Sequence, residues 1–291
     1  MPRGPWYTAP MATGDAQPRL ANTPRALVSD ALVVLICALG AAAFLYPLFL
    51  STRALAGEAG ARAADAPVIF LVLGPALLGL LLAELGAGRL NAKTVAVLGV
   101  LTAINAVLRL PAGPGDAPAF FFLVILAGYV YGGRFGFLMG ALSLLVSALL
   151  TGGVGPWMPF QMFVMGWMGL GTAALRPFGR RLAPGGRAEL ALLCAYGYAW
   201  GLLFGLLMNL WSWPLLGGPA DGGTGALFWE PGLGLAETLR RYWAFYAATS
   251  LAWDSLRAIA NVVLIGALGR VVLKELRRFR TRFHFEARDN R

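Results

Sequence analysis

Gly128–Gly153 reads GYVYGGRFGFLMGALSLLVSALLTGG, and Val154–Leu175 continues VGPWMPFQMFVMGWMGLGTAAL. These are apolar runs of the length a helix needs to cross a hydrocarbon layer, roughly 20 residues. Two breaks divide them. Gly132-Gly133, followed by Arg134, weakens a helix and permits a tight reversal, so it separates a span over 118–131 from one over 134–151. Thr151–Met162, TGGVGPWMPFQM, carries three glycines and two prolines in twelve residues and separates the latter from a span over 157–175. Pro156 and Pro159 suit the first turn of the new helix, whose N–H groups lack intrahelical partners anyway. The sequence therefore places a kinked, glycine-rich segment between two buried helices and sets a glutamine just inside the second.

The rest of the chain repeats the apolar theme. Of all residues 58% are hydrophobic and 13% charged, about half the charge of an ordinary soluble domain. Eight spans are expected, over 26–50, 66–86, 92–110, 118–131, 134–151, 157–175, 188–211 and 241–270. The runs are too long and uniform for the alternating strands of a membrane barrel. The fold class is thus an all-α polytopic membrane protein. Residues 1–25 read as a disordered leader, and 26–90 as a transmembrane hairpin. Residues 91–277 read as a six-helix core, and 278–291 as a basic tail. The first apolar run, Ala26–Leu50, is too long for a signal-peptide core and is taken as a retained span.

The net charge of +10 is explained by topology rather than by nucleic acid. With the N-terminus inside, 18 of the 24 Lys and Arg fall on the inner side and five on the outer, Arg257 lying within the last span. That bias places both termini in the cytoplasm of a plasma-membrane protein. A tail such as KELRRFRTR can also touch anionic lipid. Cys37 and Cys194 sit in apolar spans as packing groups, and the single histidine, His284, lies in the tail. Neither a metal nor a cofactor is implied by the residues present. The chain has no GxxxxGK[ST] loop, GxSxG elbow or HExxH, so uphill transport would draw its energy from a partner.

Candidate functional residues gather at the outer ends of the spans. Gly153 and Gly155 let backbone approach a ligand, Trp157 and Phe160 offer flat apolar surface, and Gln161 offers a donor and an acceptor. Asn209, Trp211 and Trp213 end the seventh span at that level. Tyr242, Trp243, Phe245 and Tyr246 begin the eighth, either lining a site or forming an interfacial belt. Asp254, Arg257 and Asn261 share one helix face and must point into the bundle, as ligand contact, switch or helix clamp. The outer connection Trp213–Leu239, with GGPADGGTG, reads as a lid, a binding loop or disorder. Ala92, Ala96, Gly99 and Ala103 make a smooth stripe on the third span, as do Gly136 and Gly140 on the fifth. Either stripe can dock a partner or pack internally.

From Asn91 to about Arg277 the chain resembles the substrate-binding S component of energy-coupling factor vitamin transporters. The likeness rests on the small-residue helix ending in VLRL, on the two blocks quoted first, and on WDSLRAIANVVLIGALG. The first two spans lie outside it and add a hairpin to the six-helix core. The resemblance implies a subunit that binds a vitamin or related micronutrient at its outer face. It implies docking to a transmembrane scaffold with two ATPases, and contact with that scaffold through Ala92, Ala96, Gly99 and Ala103. GPWMPFQM and the long aromatic outer loop look most like the branch associated with cobalamin or a precursor, while the aromatic faces themselves suit flavin, thiamin or a pterin equally. Two other classes stay open on the residues alone, an intramembrane enzyme using Asp254 and Arg257 and a ligand-free assembly protein.

Overall fold

The computed structural model describes residues 24–49, 61–111, 119–216, 227–230 and 232–282. The expected leader, most of the outer connections including GGPADGGTG, and the last nine residues of the basic tail lie outside these. The described residues form helices α1 Pro24–Phe49, α2 Ala61–Gly86, α3 Ala92–Leu108, α4 Phe121–Tyr131, α5 Gly133–Thr151 and α6 Met158–Gly171. They are followed by α7 Arg176–Gly179 (a single turn), α8 Arg187–Ser212, α9 Leu235–Thr249 and α10 Leu251–Arg282. Five of the helices are long and apolar enough to cross a membrane, within Pro24–Phe49, Pro67–Gly86, Gly133–Thr151, Arg187–Ser212 and Leu251–Thr281. Among the described residues this is an all-helical, multi-pass membrane architecture, with the α1–α2 hairpin ahead of α3 to α10.

Local chemistry sets the boundaries. Asn91 caps α3, its side-chain oxygen accepting from the Thr94 N–H at 2.8 Å. Gly132, at φ 116°, ends α4 and opens α5 in a conformation closed to residues with a side chain. Gly152, at φ 66°, caps α5 in the left-handed region and donates to the Ala148 carbonyl. Pro159 occupies the first turn of α6.

At the centre stands α4. Every residue from Phe121 to Val130 is buried, which explains why its sequence is apolar all round rather than on one stripe. Eleven residues rise only about 16 Å, against about 30 Å of hydrocarbon. So short a helix is stable at this depth because protein, not lipid, surrounds it.

The tightest pairing is α5 with α6. A Cβ on Gly169 would strike the Gly136 backbone, one on Gly136 the Gly169 backbone, and one on Gly140 the Met165 backbone. The Gly136/Gly140 stripe is therefore an internal seam. The stripe on α3 has the opposite fate: Ala92, Ala96, Gly99 and Ala103 are exposed, and nothing lies within 4 Å of a Cβ built on Gly99. The buried face of α3, including Leu98, Asn105 and Ala106, turns toward α5.

The hairpin α1–α2 seats on α6. Gly40 leaves room for the rings of Phe163 and Trp167, and Phe44 meets Phe160 edge-on at 5.0 Å and Trp167 at 5.8 Å. At the opposite end of the bundle from Trp157, a four-charge cluster ties hairpin to core. Arg134 of α5 bonds Glu84 of α2 at 3.0 Å and also Asp30 of α1, and Arg89 reaches Asp30 at 2.9 Å. Ser29 donates to the buried Glu84.

The eighth expected span, 241–270, proves to be two helices. α9 is amphipathic: the side chains of Tyr242, Phe245 and Tyr246 are buried while Arg240 is exposed. Glu237 in its first turn accepts hydrogen bonds from Arg240 and Arg241, which hold its carboxyl down at about 2. The chain breaks at Ser250, and α10 then runs 32 residues to Arg282. The connection expected as irregular over 213–239 contains a 3-10 turn at Trp213–Leu215 and the start of α9. Likewise α10 carries helix into the tail expected from residue 278.

Two expectations follow. Gly169→Val forces a side chain between touching backbones and should lower stability by about 2 kcal/mol or more. Gly79→Ala, with open space around it, should be neutral or slightly stabilising; thermal unfolding in detergent compares the two. Arg134→Met removes one of the guanidinium partners of buried Glu84 and should cost about 3 kcal/mol. Adding Glu84→Leu to that variant should recover most of the loss in the same assay.

Candidate functional site

Three polar and aromatic groups converge at the Trp157 end. The first is centred on Arg109, the C-cap of α3. It donates to Ser147 Oγ of α5 at 2.8 Å and approaches Gln161 Oε1 of α6 at 3.5 Å. Its guanidinium also lies 5.8 Å from the centre of the Phe120 ring. Gln161 thus has a partner, and its amide nitrogen is left to face elsewhere.

The second group is aromatic. Trp157, at 39% exposure, meets Trp211 edge-on at 6.3 Å, and Phe160 lies 6.3 Å from the same ring. Phe160 itself is fully buried between Trp211 and Phe44. Gly155 has no room for a side chain because the Trp157 ring folds back over it. Gly153 donates to Thr151 Oγ1 at 3.3 Å. Trp211 Nε1 is buried and finds no acceptor among the described residues.

The third group lies deeper. Asp254 and Arg257 of α10 form an ion pair, and Gly205 of α8 leaves the space in which the Asp254 carboxylate sits. Arg257 stacks 5.2 Å from Phe204 and 5.8 Å from Phe121. Phe120 and Phe121 pack at 4.5 Å, and Phe121 meets Phe204 at 4.9 Å. The start of α4 is thereby flanked by two guanidinium groups, Arg109 and Arg257. α8 continues eight residues past Phe204 to Ser212, about 12 Å, so this layer lies two turns below the rim. Asp254 falls in the first turn of α10 because the chain breaks at Ser250, which puts it nearer this end than a continuous span would have. Its Oδ2 is buried against Gly205, with the Tyr246 hydroxyl as a neighbour.

Asn209 holds that break. Its Nδ2 donates to Ser250 Oγ at 2.8 Å, and Ser250 Oγ returns a bond to Asn209 Oδ1 at 3.2 Å. Asn261, on the Asp254 face, instead clamps α10 to α8 by donating to the Gly197 carbonyl at 2.9 Å.

Other aromatic candidates stand apart. Trp213 is fully buried, donates to the Leu227 carbonyl at 2.9 Å and packs on Tyr242 at 4.9 Å. Tyr242 donates to the Leu206 carbonyl, and the two belong to a separate apolar cluster with Phe245. Tyr246 reaches the Leu202 carbonyl at 3.4 Å, while Trp243 is 56% exposed on the outer flank of α9. A cavity of about 450 Å³ opens beside the kinked segment, lined by Phe70, Val154, Gly155, Pro156, Met158 and Pro159 among others. It lies toward the hairpin and is apolar; Gln161, Asn209 and Trp211 are not part of its wall.

Sequence reasoning missed Arg109, Ser147, Phe120, Phe121, Phe204 and Ser250. A lone arginine closing an apolar run, as in VLRL, was the available signal. Its partners lie 38 and 52 residues away.

Polar and aromatic groups gathered at one end of a helix bundle are the kind of place where small molecules bind. A family model described as the substrate-specific component of the ECF transporter matches residues 93–271, and the chain belongs to that family. The match begins one residue inside α3 and leaves the hairpin outside. No curated protein and no solved structure matches the chain. Substrate-specific components are binding subunits of transporters rather than enzymes, and they work with scaffold and ATPase subunits.

Arg257→Met strands the Asp254 carboxylate in a buried site and should lower stability by about 3 kcal/mol. Asp254→Asn combined with Arg257→Met should regain much of it, as read by thermal unfolding of the purified chain.

Proposed function

We propose that this chain captures a vitamin or related micronutrient at the Trp157 end, which faces the exterior, with both termini in the cytoplasm. It releases the ligand inward when docked to a transmembrane scaffold driven by two ATPases. The observation that carries this reading is that two buried polar groups toward that end, the Trp211 indole N–H and the Asn105 amide, have no hydrogen-bond partner among the described residues. Buried polar groups in native proteins are nearly always satisfied, and a ligand supplying acceptors and a donor would satisfy both. Gln161 adds an amide group at the rim, Asn209 braces the α9–α10 break beside it, and Trp157 and Trp211 add flat faces.

Cobalamin or a precursor is the favoured ligand. The form GPWMPFQM supports it, as does a mouth drawn from the ends of α3, α4, α5, α6, α8 and α10. Arg109 and Arg257 suit a ligand that carries carboxylate or phosphate groups. The scaffold docks on α3, where Ala92, Ala96, Gly99 and Ala103 form an exposed strip of small side chains. The hairpin seats on α6 and leaves that strip open.

The purified full chain should retain or bind a micronutrient without ATP, and mass spectrometry of the copurified material identifies it. Gln161→Ala and Trp211→Phe should each weaken binding about tenfold, in line with the loss of one or two hydrogen bonds, and leave scaffold capture intact. Ala96→Leu should abolish scaffold capture and leave binding intact. Equal effects of all three substitutions on binding would reject this division of roles.

A further inference from the structure

A second cavity, about 460 Å³, lies at the opposite end of the bundle from Trp157, between the α7–α8 turn and the distal part of α10. Pro184, Gly185, Arg270, Lys274 and Arg277 line it. The three cations sit at i, i+4 and i+7 on one face of α10. The turn is built rigidly. Glu189, fully buried, accepts from the Gly185 N–H at 2.7 Å, from Tyr129 Oη at 2.8 Å and from Arg277 at 2.5 Å. Arg270 Nε donates to the Gly185 carbonyl at 3.0 Å. Gly185 takes the left-handed conformation, φ 71°, that brings its N–H and carbonyl to these two partners. The one carboxylate is used inside the wall, so the cavity presents net positive charge.

The same face of α10 says which kind of anion it takes. Moving back from Arg270 by helical steps, the residues are Ala267, Gly266, Val263 and Ile259, all exposed. Small side chains at Gly266 and Ala267 leave a shallow lane between Val263 and Arg270. An apolar lane that ends on a cluster of cations has the polarity of a phospholipid, acyl chain along the helix and phosphate at its foot.

We propose that Arg270, Lys274, Arg277 and the Gly185 turn form a binding site for the phosphate of an anionic phospholipid, with an acyl chain laid along Ile259, Val263 and Ala267. The site is independent of the micronutrient site, some twenty residues further along α10 from Asp254. It fixes the α7–α8 turn and the end of α10 to the membrane surface.

The test uses the purified full chain in detergent with added phosphatidylglycerol, phosphatidylcholine or sn-glycerol phosphate, with lipid adducts counted by native mass spectrometry. Phosphatidylglycerol should bind and raise the unfolding temperature, and phosphatidylcholine should do neither. Each of Lys274→Gln and Arg270→Gln should weaken phosphatidylglycerol binding about fivefold, the effect of about 1 kcal/mol per surface cation. Lys274→Arg should preserve it, and Arg278→Gln, at the same end on an exposed ion pair with Glu275, should leave it unchanged. Micronutrient binding should not move in any of these variants. Phosphatidylglycerol binding that survives Lys274→Gln and Arg270→Gln together would overturn the proposal. So would equal loss in Arg278→Gln, or displacement of the lipid by sn-glycerol phosphate at matching concentration, which would make this a site for soluble phosphate.

Discussion

The contact between Gly136 and Gly169 sets the geometry of this protein. Two backbones touch there without intervening side chains, and in lipid, where apolar side chains gain nothing by leaving the solvent, such close approach is a main source of helix association. Because α5 and α6 cannot slide past each other, the turn that joins them is held in place. Gly152, Pro156 and Pro159 then decide where Trp157 and Gln161 emerge. The hairpin depends on the same seam at one remove. Phe163 and Trp167, against which Gly40 packs, point away from α6 on the side that α5 does not occupy.

The polar groups show a second regularity. At both ends of the bundle a carboxylate is buried and an arginine from another turn or helix answers it: Asp254 with Arg257, Glu84 with Arg134, Glu189 with Arg277. Glu84–Arg134 and Glu189–Arg277 join elements far apart in sequence, whereas Asp254–Arg257 lies within the first turns of α10. Such pairs are weak sources of stability and strong constraints on register, since one partner alone is costly. Glu84 is the clearest case, as it brings α1, α2 and α5 to one point.

Much of the fold was legible in the sequence. Paired glycines at 132–133 marked the α4–α5 reversal, the Gly/Pro run marked the entry to α6, and the hairpin stood out as apolar runs ahead of the core. The break at Ser250 was not legible, because Ala248-Thr249-Ser250-Leu251 contains neither proline nor glycine. Asn209, 41 residues distant, bonds Ser250 at that break, and the aromatic string of α9 imitates the beginning of a membrane span. The candidate site was partly legible for the same reason. Short-range patterns pointed to Trp157, Gln161, Asp254 and Arg257, whereas Arg109 gains meaning only when Ser147 and Gln161 are brought to it. Trp213 and Tyr242 looked equivalent to Trp211 in composition, yet tertiary packing turned them into a sealed cluster.

The shortness of α4 has a consequence for how firmly it is held. Its axis covers about half the thickness of the surrounding hydrocarbon, and ten consecutive residues, Phe121 to Val130, are buried by their neighbours. The Tyr129 hydroxyl, a polar group on this otherwise apolar stretch, is spent on Glu189, so α4 can keep its place only while its neighbours keep theirs.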